Sequence, residues 1–137
     1  MGIYYHGSEN EMELGTWLFP NYKGYTHQKA VKALEDLFEE EKPEHIMFSR
    51  RDCVFMTDSE RDIDNAGGNT DFIYRVDTDG GPVEASDMSW YSLASCQLSE
   101  GNIQAARDSA RKYWAGDIHE GVMEYRTDEA EIIDEVY

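Results

Sequence analysis

Short runs of aromatic and β-branched residues, each closed by glycine, proline or asparagine, recur along the chain and constrain its fold more than any other feature. Such runs are typical of β-strands joined by tight turns. They predict strands at residues 3–6, 16–19, 72–77 and 83–85, with further β structure at 124–125 and 132–136. One more strand is expected at either 45–48 or 53–57, so the chain is predicted to be rich in short strands.

Three segments have helical signatures. Residues 27–40 follow Thr26, a candidate N-cap, and carry apolar side chains at helical spacing. Residues 60–66 are expected to form a short helix, and the clearest helical stripe follows a predicted cap at Ser99 and ends at Gly116. Because strands and helices do not alternate as β-α-β units, the sequence predicts an α+β fold with mixed or antiparallel sheets.

Length and charge limit the classes of function. The 137 residues fit one domain, residues 1–137, which can bury roughly two-thirds of its unfolded surface. The net charge of -17 disfavours nucleic acid and anionic membrane as partners, because phosphate binding requires clustered Lys and Arg side chains. No apolar run approaches the ~20 residues of a membrane span, and the N-terminus lacks the pattern of a secretory signal. The expected location is the cytoplasm.

The cysteines and histidines give no metal or redox signature. Cys53 and Cys96 lie in no C-x-x-C or Cys/His spacing, so both are expected to be small core residues. The four histidines show no zinc-ligand spacing, so no metal site is expected. Any chemistry is therefore expected to come from other residue types.

Several short motifs, spread from the first residues to the last, carry a resemblance to one enzyme family. They are Tyr5-His6-Gly7-Ser8, Leu14-Gly15, Phe19-Pro20, Val54-Phe55-Met56-Thr57, Ile73-Tyr74-Arg75-Val76, Gly81-Pro82-Val83-Glu84 and Tyr125-Arg126-Thr127-Asp128-Glu129. In this order, the chain resembles the rifamycin-inactivating ADP-ribosyltransferases, a branch of the NAD-dependent ADP-ribosyltransferase superfamily. Residues 25–50 and 91–120 fall outside the resemblance.

The resemblance implies an ADP-ribosyltransferase-like fold, in which NAD lies in a cleft between two small sheets. In the family, the histidine of the first motif hydrogen-bonds the ribose beside adenine, and the following glycine lets the backbone approach the ligand. Here these positions are His6 and Gly7, with Tyr5 in the same motif and Ser8 as a second polar contact. From the residues alone, a structural histidine at a strand end is the better interpretation of His6.

The second motif of the family places a tyrosine ring on nicotinamide. This chain has Phe55 in that register, which keeps the stacking face of the ring and loses the hydroxyl group. Thr57 closes the same motif and is grouped with the NAD-binding residues. Without the resemblance, Phe55 is interpreted as a core aromatic. Arg75 and Arg126 are the first candidates for pyrophosphate contacts, followed by Lys23 and the Arg50-Arg51 pair, and for each the alternative is a cation that balances the acidic surface.

The third position of the family is an acid that stabilises the positive charge on the ribose when the bond to nicotinamide breaks. Asp87 is the preferred candidate for this acid, and Glu84, three residues before it in the chain, is the second. Glu129 is an alternative, because the wider superfamily keeps a glutamate on a late strand. For each of the three, a solvated surface carboxylate is the simpler interpretation.

The resemblance therefore implies a mono-ADP-ribosyltransferase with NAD as co-substrate. The acceptor is expected to be a rifamycin-like small molecule or a host protein, as for a phage or mobile-element enzyme. A second hypothesis is a non-catalytic binding or inhibitor protein built on the same fold. A third is an acidic mimic that occupies a basic site on a host protein, and it rests only on the net charge of -17.

Overall fold

The computed structural model describes residues 2–20, 29–65 and 70–136. Its strands and helices alternate irregularly, as expected for an α+β protein. In chain order they are β1 (Ile3–Ser8), β2 (Trp17–Leu18), α1 (Lys29–Glu41), β3 (Val54–Met56), α2 (Asp62–Asn65), β4 (Phe72–Asp77), β5 (Glu84–Asp87), α3 (Met88–Ser99), α4 (Ile103–Ala115), β6 (Met123–Thr127) and β7 (Ala130–Glu135).

The strands form two antiparallel sheets. Sheet A has the order β1-β4-β7-β2, and sheet B has the order β3-β6-β5. The first strand of each sheet meets the other through a single bridge, in which Tyr5 and Thr57 exchange backbone hydrogen bonds of 2.8 and 2.9 Å. Among the described residues, this bridge joins the backbones of the two sheets at their edge strands, β1 and β3.

Alternation along the strands divides the core in two. Val54 and Met56 of sheet B pack against Tyr74, Val76 and Ile132 of sheet A, all of them buried. Successive residues of a strand point to opposite faces, so Phe55 points away from this core, toward the helices. Of the β3 side chains, those of Val54 and Met56 therefore face the space between the sheets, and that of Phe55 does not.

The second core lies among the helices. Leu34, Phe38, Ala94, Ala106 and Tyr113 bring α1, α3 and α4 together, and α4 also contacts β5. Removing these side chains from water supplies the main driving force for packing the helices. Sheet B is therefore covered by sheet A on one face and by the helices on the other.

The predicted α+β class and antiparallel sheets are confirmed, and the differences are local. The strand of the central region is Val54–Met56 and not 45–48, and β5 is Glu84–Asp87, one to two residues later than predicted. The last helix is capped by Asn102, which accepts a hydrogen bond from Ala105 N, and not by Ser99. Gly116 ends it with φ 81°, as predicted. The predicted cap Thr26, the candidate cation Lys23 and the end of the predicted 60–66 helix lie outside the described residues.

Helix α3 was not predicted. Its sequence scatters serines among the apolar residues, so it shows no clean polar face. The cysteine prediction is half wrong, because Cys53 is buried whereas Cys96 on α3 is exposed. Burial raises the pKa of the Cys53 thiol to about 12, which disfavours a thiolate. Within the described ranges, no helix is both long and apolar enough to cross a membrane.

Candidate functional site

The first two family motifs meet beside the bridge between β1 and β3. His6 on β1 places Nδ1 2.8 Å from the carbonyl oxygen of Phe55 on β3, across a sequence separation of 49 residues. A carbonyl oxygen only accepts hydrogen bonds, so the neutral imidazole carries its proton on Nδ1. The lone pair then lies on Nε2, and no group of the described residues is bonded to that nitrogen. Nε2 can therefore accept a hydrogen bond from a ligand hydroxyl.

The surroundings of His6 favour the neutral ring. Burial lowers the pKa of the imidazole below its usual value, and the hydrogen bond to Phe55 opposes this effect only in part. A protonated ring would place a donor on Nε2 in place of the acceptor. At neutral pH, His6 is thus held as a hydrogen-bond acceptor by one local contact and by its burial.

The other residues of the first motif support the strand junction. Tyr5 forms the backbone bridge to Thr57, and Gly7 pairs with Ile73 on β4. The Ser8 hydroxyl donates to Asn10 O at 2.8 Å and accepts from Asn10 N at 3.1 Å, so it is committed to a local turn. These contacts give Ser8 a structural function beside its predicted ligand contact.

Thr57 also forms hydrogen bonds within the protein. Its hydroxyl donates to Ser59 O at 2.6 Å, and the residue is buried. The backbone of Thr57 carries the bridge to Tyr5, so the residue holds the two sheets at their meeting point. The site residues predicted from the first two motifs therefore lie next to each other.

The ring of Phe55 is half-buried and lies on the helix side of sheet B. The guanidinium carbon of Arg50 lies 4.9 Å from the ring centroid. A cation at this distance interacts with the face of the ring. A nicotinamide stacked on Phe55 therefore has to use the opposite face of the ring.

Behind Phe55 lies a buried charge network that the sequence did not predict. Arg50 donates to both carboxylate oxygens of Glu35, at 3.1 and 3.2 Å, and to the hydroxyl of Tyr113 at 2.8 Å. Arg50 and Tyr113 also bond to the carboxylate of Glu124. All four residues are at most 5% exposed. Burial is the main cause that raises the pKa of the Tyr113 hydroxyl, so the phenol stays protonated and acts as a donor.

Arg126 completes this network and is not available for a pyrophosphate group. It is fully buried, and Nη1 donates to Ser86 Oγ and to Tyr113 OH at 2.9 Å each, while Nε donates to Phe48 O at 3.1 Å. Two guanidinium groups thus face two carboxylates, Glu35 and Glu124, and the formal charges balance. The network links sheet B to all three helices of the second core, and buried charges require such pairing.

Arg75, the other predicted pyrophosphate contact, lies on sheet A. Its side chain is 43% exposed, and Nη1 is 4.0 Å from Asp134 Oδ2. Its neighbours on β1 and β7 are Tyr5 and Asp134, on the side of the sheet opposite to Tyr74. Because His6 pairs with Tyr74, Arg75 and His6 point to opposite faces of sheet A.

Asp87, the first acid candidate, is fully buried and caps α3. Its Oδ1 accepts from Ser89 N at 3.0 Å and from Ser89 Oγ at 2.6 Å, and its Oδ2 accepts from His119 N at 2.7 Å and Gly121 N at 2.8 Å. Burial alone would raise the pKa of Asp87, but the hydrogen bonds from Ser89, His119 and Gly121 outweigh burial and lower it to about 2. Through these hydrogen bonds, Asp87 holds residues 119–121 against the start of α3.

The other two acids differ in their environment. Glu84 accepts from Met47 N at 3.0 Å and from Phe48 N at 2.8 Å, so both of its oxygens hold the segment before β3. Glu129 lies on the turn between β6 and β7 and is exposed. Thr127 at the end of β6 pairs with Val54, and β1 runs from its bridge toward the same end of β3. Glu129 is thus the exposed acid of the three.

The ionised state of Asp87 is expected to contribute stability above its ordinary pKa of 3.8 and to lose it as the pH falls through about 2. In the Asp87→Asn variant, the amide nitrogen meets N–H donors, so unfolding at neutral pH should require about 1–3 kcal/mol less free energy. The difference in unfolding free energy between wild type and variant should shrink between these two pH values. Denaturant titrations over a pH series measure it, and a difference that stays constant with pH contradicts this account.

Comparisons with known proteins identify no family. No protein-family model matches the chain, and no curated protein matches it significantly. Among the described residues, no group of three or more His, Cys, Asp and Glu side chains could hold a metal ion. The geometry of the site and the sequence motifs are therefore the basis for proposing a function.

Proposed function

We propose that the protein is an NAD-dependent mono-ADP-ribosyltransferase of the rifamycin-inactivating type. The observation that supports this proposal most is the hydrogen bond between His6 Nδ1 and Phe55 O, at 2.8 Å. It brings the first two motif residues together beside the bridge between two small antiparallel sheets. The resemblance implies NAD between two sheets, whereas here the Phe55 ring lies on the helix side of sheet B, so NAD would bind at the edge where β1 and β3 meet.

In the proposed reaction, the glycosidic bond between the nicotinamide nitrogen and ribose C1 breaks, and nicotinamide leaves as a neutral molecule. A nucleophile of the acceptor forms the new bond to C1 and loses its proton. His6 Nε2 would accept a hydrogen bond from a ribose hydroxyl, and nicotinamide would stack on the face of the Phe55 ring opposite Arg50. The acceptor is either a protein or a rifamycin-like small molecule.

The carboxylate that stabilises the ribosyl cation is assigned here to Glu129. Asp87 and Glu84 each use both oxygens to hold backbone N–H groups, so neither can approach a ligand without breaking those bonds. Glu129 is exposed and has no such commitment among the described residues. This assignment replaces Asp87, the first choice from the sequence, because Asp87 is fully buried.

The committed oxygens of Asp87 and Glu84 also support a second candidate function. A protein that binds NAD or a partner and does not turn NAD over needs no free acid beside the ribose. In that case His6 and Phe55 would still form a binding site, and Asp87 would act only as a helix cap. Measurements of binding and of turnover separate the two candidates.

NAD at ~100-fold above its dissociation constant should raise the free energy of unfolding by about 2.7 kcal/mol. His6→Asn should lose this increment, because an asparagine amide can keep the hydrogen bond to Phe55 O, but its carbonyl oxygen does not reach the position of Nε2. His45→Ala is the matched control, since His45 is an exposed histidine elsewhere in the chain, and it should keep the increment. Thermal unfolding with and without NAD measures it for each protein against its own ligand-free state.

Two results would contradict the binding site. The first is wild-type protein that millimolar NAD does not stabilise. The second is an equal increment in wild type and His6→Asn, which would locate NAD elsewhere on the chain.

A further inference from the structure

One face of sheet A, which we call the outer face, points away from the core between the sheets. The strand register aligns one residue from each of the four strands across it. This row consists of Ile3, Asp77, Glu131 and Trp17. A second row contains Tyr5, Arg75 and Asp134. The inner face instead carries the buried Tyr74, Val76, Ala130 and Ile132.

The outer face is open where Trp17 lies. Trp17 is 37% exposed, and Leu14 and Phe19 in the same segment are 60% and 61% exposed. In the described part of the chain, α1, α3 and α4 pack together and α4 contacts β5 of sheet B, while α2 contacts β1 of sheet A. Several large apolar side chains exposed in one short segment are typical of an interaction surface.

The charge of the outer face selects the kind of partner. Three carboxylates, those of Asp77, Glu131 and Asp134, share this face with one guanidinium, that of Arg75. Arg75 Nη1 lies 4.0 Å from Asp134 Oδ2, at the limit of an ion pair, and Arg75 Nε is buried without a hydrogen-bond partner. A second copy of this chain, also with net charge -17, would be repelled. Charge complementarity therefore indicates a basic partner.

One pair of side chains on this face has the composition of an arginine site. Trp17 and Glu131 are direct cross-strand neighbours, and such neighbours have Cβ atoms roughly 5 Å apart. A guanidinium group can stack on an indole ring while it donates hydrogen bonds to an adjacent carboxylate. Arginine fits this combination better than lysine, because its planar group makes both contacts at once.

We propose that the outer face of sheet A docks a basic protein partner, and that Trp17 and Glu131 together receive an arginine side chain of that partner. Tyr5 and His6 point to opposite faces of β1, so this surface lies on the far side of the sheet from the His6 site. Docking does not depend on NAD binding, and either function can exist without the other.

The experiment measures binding of an oligo-arginine peptide, with oligo-lysine of equal charge as comparison, by fluorescence anisotropy at physiological ionic strength. Trp17→Ala should weaken oligo-arginine binding by about tenfold or more, the loss expected for a partly desolvated cation–π contact. Ile118→Ala, which removes an exposed apolar side chain from the segment between α4 and β6, is the control and should change binding little. Melting temperatures establish that each variant is folded.

A pair of double variants separates a defined site from general attraction to an acidic protein. Glu131→Gln with Asp134→Asn removes two charges from the outer face, and Glu44→Gln with Glu100→Gln removes two exposed charges from the helical half. We expect only the first pair to weaken binding strongly, and oligo-lysine to bind more weakly than oligo-arginine. Equal losses in the two double variants, unchanged binding by Trp17→Ala, equal affinity for the two peptides, or no binding at all would each overturn the proposal.

Discussion

Arg50→Met is expected to lower the free energy of unfolding by about 3–5 kcal/mol, because it leaves Glu35 and Glu124 buried without their main cation. Arg51→Met is the matched control. Arg51 pairs with Asp36 at the surface, with side chains 35% and 38% exposed, and such a pair contributes about 0–1 kcal/mol. Denaturant unfolding of both variants measures the two effects.

A third variant tests the reason for the loss. Adding Glu124→Gln to Arg50→Met removes one of the two uncompensated charges, so the double variant should be more stable than Arg50→Met alone. Similar losses for Arg50→Met and Arg51→Met would contradict the burial of the network. The network would also be contradicted if the losses of unfolding free energy from Arg50→Met and Glu124→Gln simply added in the double variant.

The second large effect concerns turnover. Glu129→Gln is expected to reduce ADP-ribose transfer by about 10²–10³, the usual consequence of removing one electrostatic stabiliser of a transition state. NAD binding should change little, because the ribose carries little positive charge before the glycosidic bond breaks. Asp128→Asn, an equal charge change on the same exposed turn, is the control and should retain activity.

The variants of the other acids give the contrary outcome. Asp87→Asn and Glu84→Gln should act through stability, because their oxygens hold backbone N–H groups. A folded Asp87→Asn protein without transfer activity, beside an active Glu129→Gln protein, would return the catalytic role to Asp87. That result would also require residues 119–121 to move away from Asp87 when NAD binds.

Local pattern predicted most of the strands and the last helix. Residues 72–77 form a strand, as the sequence predicted, and Gly116 ends α4 in the left-handed conformation that glycine favours. Helix α3 was not predicted from the sequence, because its apolar residues do not recur at helical spacing. Asp87 could have indicated the start of this helix, since an aspartate before an apolar segment is a typical N-cap. The resemblance instead led to its interpretation as a catalytic acid.

The site was only partly predictable for the same kind of reason. His6 and Phe55 were grouped through the family motifs, and no local pattern indicates that residues 49 positions apart share a hydrogen bond. The buried network was missed because its charged residues look like the many surface charges of the chain. Pairing of Arg50, Glu35 and Glu124 depends on how three helices pack on sheet B, and sequence spacing does not specify that packing.

The most direct test of the proposed function is the release of nicotinamide from NAD, measured by chromatography, with a rifamycin or with a cell lysate as the source of acceptor. We expect wild-type protein to release nicotinamide well above the uncatalysed rate with at least one acceptor, and to attach ADP-ribose to it in equal amount. His6→Asn should abolish both. Release no faster than the uncatalysed rate with every acceptor, from protein that NAD stabilises, would contradict the enzyme and leave the non-catalytic binding protein.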